Sequence, residues 1–261
     1  DKVVEIEWFK LYAEATKMLQ NIITNQWLRA KAVIGIWPAN TVNFDSIEVY
    51  DPTNPEKVIH QFECLRQQVK KAAGQPNLSL SDFVAPKESG KKDYIGGFAV
   101  TAGIGIERHL ERFEKNHDDY SIIMIKALAD RLAEAFAELM HAKVRKDFWG
   151  YARREKLTNE ELIKEKYRGI RPAAGYPACP DHTEKPGLFD ILNATEHTGI
   201  TLTENFAMYP ASSVSGLYYA SPHCKYFGVG RVGKDQVKSI AERKGMDFAT
   251  MERWLASNLN Y

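Results

Sequence analysis

Helical and strand-like segments follow one another along this 261-residue sequence in mixed clusters, without regular alternation. Helical spacing of apolar residues predicts a first helix over residues 6–28 and a second, with the strongest pattern, over residues 118–146. Regular strand–helix alternation would favour a parallel sheet. The observed order instead favours an α+β fold with a largely antiparallel sheet.

Proline, glycine and capping residues set the bounds of the other predicted elements. Strands are predicted at residues 31–37, 46–50, 58–62, 94–101, 201–208, 215–219 and 225–229. Further helices are predicted at residues 158–167, 185–197, 234–243 and 247–256. The first strand is expected to end at Pro38, and the Thr158-x-x-Glu161 spacing predicts a capping box. Residues 73–92 and 169–180 are predicted to be irregular.

The helix predicted over residues 118–146 has two contrasting faces. Its apolar face carries residues at steps of three or four, namely Ile125, Leu128, Leu132, Phe136 and Leu139. The opposite face carries Asp130, Glu134 and Glu138 at steps of four. This acidic row is either a solvated surface or a rigid set of carboxylates for a cation, such as a sulfonium ligand or a histidine of a docking module.

Composition and charge exclude several classes of partner. Thirty-five basic residues balance 34 acidic ones, so a broad positive field for nucleic acid is not expected. No apolar run approaches the roughly 18 residues that span a bilayer, and the first residues lack a signal-peptide pattern. The cysteines Cys64, Cys179 and Cys224 are odd in number and widely spaced, which favours reduced thiols and a cytoplasmic location.

Two short motifs are interpreted as non-functional. Residues 228–233 match G-x-G-x-x-G between a predicted strand and a predicted helix. A dinucleotide-binding fold needs further strand–helix units after the glycines, and only two helices follow here. The pairs Cys179/His182 and His223/Cys224 lack C-x-x-C spacing, so no metal site is predicted.

The segment 169–180, GIRPAAGYPACP, has the chemistry of a ligand clamp. Arg171 offers a planar set of donors suited to a carboxylate. The small residues after it permit close approach of a ligand to the backbone. Tyr176 offers an aromatic face that attracts a positively charged sulfur. The residue chemistry alone does not decide between this ligand-binding role and a surface ion pair for Arg171.

Residues 169–185 resemble the S-adenosylmethionine (AdoMet) binding motif of the activation domain of cobalamin-dependent methionine synthases. Residues 80–86, 126–136 and 210–216 resemble other parts of that domain, and the similarity covers nearly the whole chain. The resemblance implies one AdoMet-binding activation domain over residues 1–261 that is truncated at the N terminus, because the AdoMet-contacting Asp-Trp segment of the family lies upstream of residue 1. It also implies a C-shaped α+β domain with a twisted, largely antiparallel sheet flanked by helices.

The resemblance assigns roles to particular residues. It implies AdoMet contacts at Arg171, Ala173, Tyr176, Tyr226 and Phe227. Acidic positions lining the site correspond to Glu134 and Glu165, and positions that meet the cobalamin module correspond to Asp130 and Glu134.

The implied function is a repair step in methionine biosynthesis. The domain would bind AdoMet and support reductive remethylation of inactive cob(II)alamin, with cobalamin held by a separate module and an electron from flavodoxin or a flavin reductase. Because cobalt supplies the nucleophile, no catalytic residue is expected in this chain.

Three alternatives remain open. One is a self-sufficient AdoMet methyltransferase, which the lack of a glycine-rich strand–turn–helix disfavours. The others are a stand-alone AdoMet sensor and a detached corrinoid-reactivation subunit.

Overall fold

A five-stranded sheet and a two-stranded hairpin form in residues 2–261, the part of the chain that the structure, a computed structural model, describes. Side chains are described from residue 7 onward. The strands are β1 (Arg29–Val42), β2 (Ser46–Asp51), β3 (Asn54–Glu63), β4 (Asp93–Ile104), β5 (Thr201–Leu202), β6 (Met208–Tyr209) and β7 (Ser213–Tyr218). The sheet order is β3-β2-β1-β4-β7, with β2 antiparallel to both β1 and β3.

Helices precede, interrupt and follow these strands. They are α1 (Lys2–Thr24), α2 (Glu107–Lys115), α3 (Asp119–Lys143), α4 (Asn159–Ile163), α5 (Lys185–Leu192), α6 (Ala194–Thr198), α7 (Lys234–Lys244) and α8 (Phe248–Trp254). Within the described residues, no helix is both long and apolar enough to cross a membrane. The predicted α+β fold with a largely antiparallel sheet is confirmed.

The chain forms two compact units. Unit 1 comprises Asp1–Val33, Ala99–Met140 and Thr195–Val214. Its apolar core joins α1, α2 and α3 through Ile22, Ile106, Phe113, Ile125 and Ala129. Polar contacts fix its periphery: the Tyr209 hydroxyl donates to Glu107 at 2.8 Å, and Ser212 Oγ donates to Asp130 Oδ1 at 2.9 Å.

Unit 2 comprises Ile34–Phe98, His141–Ala194 and Ser215–Tyr261. Its C-terminal helices α7 and α8 pack around a cluster of buried residues: Leu65, Val229, Val232, Val237, Ile240, Ala241, Met251 and Leu255. Lys244, at the end of α7, binds the carboxylates of Asp181 and Glu184, just after the proline-rich segment. The last helical turn of α7 is therefore tied to the end of that segment.

The first strand is longer than predicted. β1 continues through Pro38 to Val42 instead of ending at the proline. Proline fits an extended backbone but cannot donate to a ladder, and the registered pairing with β2 begins just after it, at Ala39 opposite Val49. The other strands and helices predicted before residue 150 correspond to β2, β3, β4, α1 and α3.

Two predicted helices are shortened by residues with positive φ. Thr158 caps α4 as predicted, but the helix predicted over residues 158–167 ends before Glu165, whose φ is 53°. The helix predicted over residues 185–197 is divided into α5 and α6 by Asn193, whose φ is 47°. A left-handed residue cannot continue an α-helix, so each helix ends there.

Two predicted strands are wrong. Residues 201–208 form the short β5–β6 hairpin, whose strands are separated by a turn. Residues 225–229 form no strand, because Val229 N donates to the Pro177 carbonyl at 2.8 Å instead of to a sheet neighbour. The glycines at 228–233 therefore lack the preceding strand that dinucleotide binding requires.

The buried face of α3 agrees with the predicted one in part, because Ile125 is fully buried and Leu128 and Leu132 pack against the core of unit 1. Ala129, Ala133 and Ala137 are at most 1% exposed, whereas Leu139 is 51% exposed. The buried row therefore consists of small residues at steps of four, which allow a close approach of whatever packs on the helix. After Lys143, α3 continues into a π-helical turn at Val144–Phe148.

We expect Gly216→Ala in β7 to destabilise the domain by about 1–3 kcal/mol, because added atoms in a packed site force the backbone to move. A Cβ at Gly216 would lie 2.5 Å from the carbonyl oxygen of Pro172, which accepts a hydrogen bond from Leu217 N at 2.9 Å. Denaturant unfolding measures the loss. In Gly228→Ala, the control, the new Cβ meets Pro177 at an ordinary 3.5 Å. Equal stabilities of the two variants would contradict the close packing of β7 on Pro172.

Candidate functional site

The proline-rich segment of residues 169–180 is anchored to β7 and folded back on itself. Ile170 and Tyr219 exchange both backbone hydrogen bonds, each at 3.0 Å. Gly169, with φ 85°, is required next to this bridge because a Cβ would lie 2.4 Å from the Tyr219 carbonyl. Further along, Gly175 N donates to the Cys179 carbonyl at 2.7 Å and closes a turn. The backbone on both sides of Arg171 is thus fixed.

Arg171 is held at both ends by tyrosine hydroxyls. Its backbone N donates to Tyr226 Oη at 3.0 Å, and its side-chain Nη1 donates to Tyr167 Oη at 3.2 Å. The two hydroxyls lie 3.4 Å apart. Tyr226, which accepts from Arg171 N, has its own proton available for Tyr167. Arg171, Tyr226 and Tyr167 therefore form a closed ring of hydrogen bonds.

His141 is the second acceptor for Arg171. Nη1 of Arg171 lies 3.2 Å from Nδ1 of His141, a residue with no exposed surface. The imidazole stacks on Tyr218 with a centroid distance of 5.1 Å and meets Tyr167 edge-on at 5.0 Å. Burial, and then the positive charges of Arg145 and Arg171, lower the pKa of His141 to about 2. The ring is neutral at physiological pH.

A buried ion pair also contacts Tyr167. The Arg145 guanidinium binds the Glu155 carboxylate at 2.7–3.0 Å through Nε and Nη2. It also lies 4.4 Å from the ring centroid of Tyr167. Because Arg145 has no exposed surface, its charge depends on Glu155 for compensation. The Arg171 guanidinium lies 5.9 Å from the same centroid, so both arginines contact Tyr167.

The sequence model of a family described as "Vitamin B12 dependent methionine synthase, activation domain" matches residues 1–245. The chain belongs to this family. A solved structure named "Crystal Structure of the MetH Reactivation Domain bound to AdoHcy" is 53% identical, and the similarity covers 100% of this chain and 80% of that one. The TM-score of 0.95 confirms that the folds agree. The family resemblance inferred from the sequence motifs is confirmed.

The activation domain brings some of the sequence-predicted AdoMet residues together. Arg171 and Tyr226 are in direct contact, and Ala173 is half-buried two residues beyond Arg171. Tyr176 is exposed beyond the turn. Glu165 is exposed with φ 53°, two residues after the end of α4. These residues all lie in unit 2, within one segment or in contact with it.

Phe227 is placed differently from its neighbour Tyr226. Its half-buried ring packs on the apolar cluster of α7 and α8 and meets Phe83 edge-on at 6.2 Å. Packing alone accounts for this aromatic residue, and its expected contact with AdoMet stays a prediction.

The acidic residues predicted on α3 belong to unit 1. Asp130 and Glu134 are exposed, whereas Glu138 is half-buried. The acidic row is thus solvent-exposed at Asp130 and Glu134 but not fully at Glu138. The roles expected for Asp130 at the cobalamin module, and for Glu134 there and at AdoMet, stay predictions.

Sequence reasoning missed the residues that hold Arg171: His141, Tyr167, Arg145 and Glu155. A usable pattern was present, because His141 and Arg145 continue the row of buried alanines at steps of four. A histidine and an arginine on the buried face of a helix need polar partners. In the described residues, no cluster of three or more potential metal ligands accompanies them.

We expect His141 to make the stability of the domain depend on pH below about 6.5, the pKa of an unperturbed histidine. As the pH falls below 6.5, His141 takes up a proton in the unfolded chain. In the folded chain it stays unprotonated until the pH approaches its lowered pKa of about 2. Folding stability is therefore lost on acidification, by about 2 kcal/mol between pH 6.5 and 4.5 for this group. His141→Phe removes this contribution, so its unfolding free energy should fall less steeply than that of the wild type. Parallel pH profiles of the two proteins would show that His141 is not held neutral.

Proposed function

We propose that this activation domain binds AdoMet at Arg171 and its tyrosines, and thereby supports reductive remethylation of cob(II)alamin in a vitamin B12-dependent methionine synthase. The observation that carries the proposal is the Arg171 guanidinium, held by Tyr167 and His141 near the start of the segment 169–180. The 53% identity to a reactivation domain bound to AdoHcy, the product of methyl transfer from AdoMet, supports the same ligand class.

The charged end of AdoMet matches Arg171. A guanidinium has five N–H donors in one plane and binds carboxylates in a bidentate manner. The contacts of Nη1 with Tyr167 and His141 restrain the side chain of Arg171 in the folded protein. We propose that Arg171 binds the methionyl carboxylate.

Aromatic surface next to Arg171 suits a sulfonium. Tyr176 is 57% exposed and Tyr226 is 37% exposed, so both aromatic side chains are accessible to a ligand. A cation over a tyrosine face gains about 0.5–2 kcal/mol. Ala173 has no side chain beyond Cβ to obstruct a ligand lying along the backbone. When bound, AdoMet supplies a methyl group on a positively charged sulfur.

The chain's own task is positioning. The residues of the proposed site supply a charge and two aromatic rings, and the chemistry requires no proton transfer by them. Holding reacting groups in a fixed orientation is itself a large source of rate enhancement. This accounts for a site built from an arginine and tyrosines rather than from a nucleophile and a base.

We predict that Arg171→Ala weakens AdoMet binding by about 10- to 100-fold, since a hydrogen-bonded charge pair contributes about 1.5–3 kcal/mol. Calorimetric titration of the domain gives the affinities. Arg168→Ala is the matched control, because this exposed arginine directly before the segment donates to the Ala220 carbonyl at 2.8 Å and lies outside the proposed site. If Arg171→Ala and Arg168→Ala bound AdoMet equally well, Arg171 would not be the carboxylate ligand.

A second part of the proposal concerns the cobalamin module. Asp130 and Glu134 are exposed on consecutive turns of α3, and Ser212 fixes the Asp130 carboxylate at 2.9 Å. Carboxylates held on a rigid helix suit a polar or cationic partner surface. We propose that they meet the cobalamin module during reactivation, with flavodoxin or a flavin reductase as the electron donor.

In the full methionine synthase, Glu134→Gln is expected to slow reductive reactivation several-fold, more so at low ionic strength, where charge pairs at interfaces are least screened. The rate of methylcobalamin recovery measures this. Glu111→Gln, an exposed glutamate on α2, serves as the control. Unchanged recovery in Glu134→Gln would remove this residue from the docking surface. If the domain bound AdoMet but had no effect on a cobalamin module, the alternative of a stand-alone AdoMet sensor would be favoured.

A further inference from the structure

A second cleft in unit 2 adjoins the start of the proline-rich segment and has a volume of about 510 Å³. None of the residues proposed to bind AdoMet lines it. Clefts of this size bind small molecules. We propose that this cleft binds a nucleotide, that is, a planar heterocycle that carries a phosphate. Its lining combines aromatic rings with basic groups: Phe83, Trp149, Tyr151, Lys91, Arg168 and His223.

Arg168 is a restrained cation in the wall of the cleft. Its Nε donates to the Ala220 carbonyl at 2.8 Å, and its Nη1 donates to the Tyr151 carbonyl at 3.3 Å. Its guanidinium also lies 5.4 Å from the ring centroid of Tyr151. These partners are all neutral, and Arg168 forms no ion pair within residues 7–261. The folded chain therefore orients this guanidinium without giving it a counter-ion.

Lys91 adds a second cation from a loop whose backbone is fixed. The side-chain amide of Asn40 donates to the carbonyls of Ala85 and Lys91, each at 2.9 Å. The Asp93 carboxylate accepts from Ala85 N at 2.8 Å. The Lys91 side chain is exposed and forms no ion pair with the described residues. A phosphate in the cleft would thus meet a second cation on an ordered wall, which suits recognition of an anion.

The two carboxylates that line the cleft are bound to protein donors. Asp82 accepts from Arg66 through both oxygens, at 2.7 and 2.8 Å. Asp93 accepts from two backbone nitrogens, each at 2.8 Å. Lys91 and Arg168, by contrast, have no counter-ion among the described residues. This distribution of charge favours an anionic ligand over a cationic one.

Trp149 and Tyr151 make the cleft suitable for a planar ring. The two rings meet edge-on with a centroid distance of 5.4 Å, and both side chains are half-buried. Because the ring of Tyr151 already has the Arg168 guanidinium as a neighbour, we assign the stacking surface to Trp149. Stacking of a base on an aromatic side chain depends little on which base it is. An aromatic ring beside two cations distinguishes a nucleotide site from a site for a free anion.

Calorimetric titration of the domain with ADP and with FMN, which carry a purine and a flavin ring, tests the proposal. At least one of them is expected to bind with saturation. Adenosine and inorganic phosphate each supply only half of the required chemistry and should bind about tenfold more weakly or worse. Failure of both nucleotides to bind at millimolar concentration would overturn the proposal. Inorganic phosphate that binds as tightly as the nucleotides would also overturn it, since the site would then recognise a free anion.

Variants of the lining residues locate the bound nucleotide. Arg168→Ala should weaken its binding about 10- to 100-fold, and Trp149→Ala about 5- to 100-fold, with recovery of most of the affinity in Trp149→Phe. Lys91→Ala changes an exposed side chain, so it leaves the fold intact, and it should weaken binding about 3- to 10-fold. Arg154→Ala is the control, because this exposed arginine does not line the cleft.

The two ligands of the domain are distinguished by their arginines. Arg168→Ala is expected to bind AdoMet as the wild type does, and Arg171→Ala is expected to keep its affinity for the nucleotide. A nucleotide that binds equally well to Arg168→Ala and Arg154→Ala, or that is lost in Arg171→Ala, would overturn the proposal. Loss of AdoMet binding in Arg171→Ala bears on the proposed function alone.

Discussion

The contacts of Arg171 are the interaction on which the account of this domain depends. Its backbone nitrogen and its guanidinium are bound to two tyrosine hydroxyls that lie 3.4 Å from each other. Unrestrained arginine side chains have many rotamers, and fixing one costs up to about 2 kcal/mol of side-chain entropy. Here the folded protein has already restricted the side chain. A ligand carboxylate that meets Arg171 therefore does not have to order it.

The rest of unit 2 supports this arrangement through packing. β7 passes so close to the proline-rich segment that only glycine fits at position 216, and the Ile170–Tyr219 bridge fixes the start of the segment. Arg145 and Glu155 form a buried pair against the ring of Tyr167. Such a pair contributes little net stability but fixes geometry when both partners are present. The ordering of Arg171 is thus distributed over the sheet, the π-helical turn after α3 and the segment after α4.

Part of the fold and of the candidate site could be predicted from the sequence. The other features depend on tertiary contacts. The α+β class and most element positions follow from hydrophobic periodicity, and Arg171 and Tyr226 follow from motif resemblance. The end of α4 and the break at Asn193 depend on left-handed residues that no apolar pattern encodes. The strand expected at residues 225–229 is absent because Val229 bonds to a loop carbonyl. Local propensity carries no information on such a long-range partner.

The burial of α3 illustrates the same limit. The predicted apolar face is correct for Ile125, Leu128 and Leu132. It did not include the fully buried alanines at 129, 133 and 137, and it did include Leu139, which faces solvent. His141 continues that alanine row into the Arg171 cluster, which is why pattern reading by residue size overlooked it. Apolar periodicity gives most weight to the largest side chains, whereas a close helix contact favours the smallest.

The most direct test of the central claim is a crystal structure of this domain with AdoMet bound. The account predicts the methionyl carboxylate on the Arg171 guanidinium at about 2.8 Å, with the side chain still in contact with Tyr167 and His141. AdoMet bound elsewhere, or Arg171 turned away from both of these residues to reach it, would contradict the account.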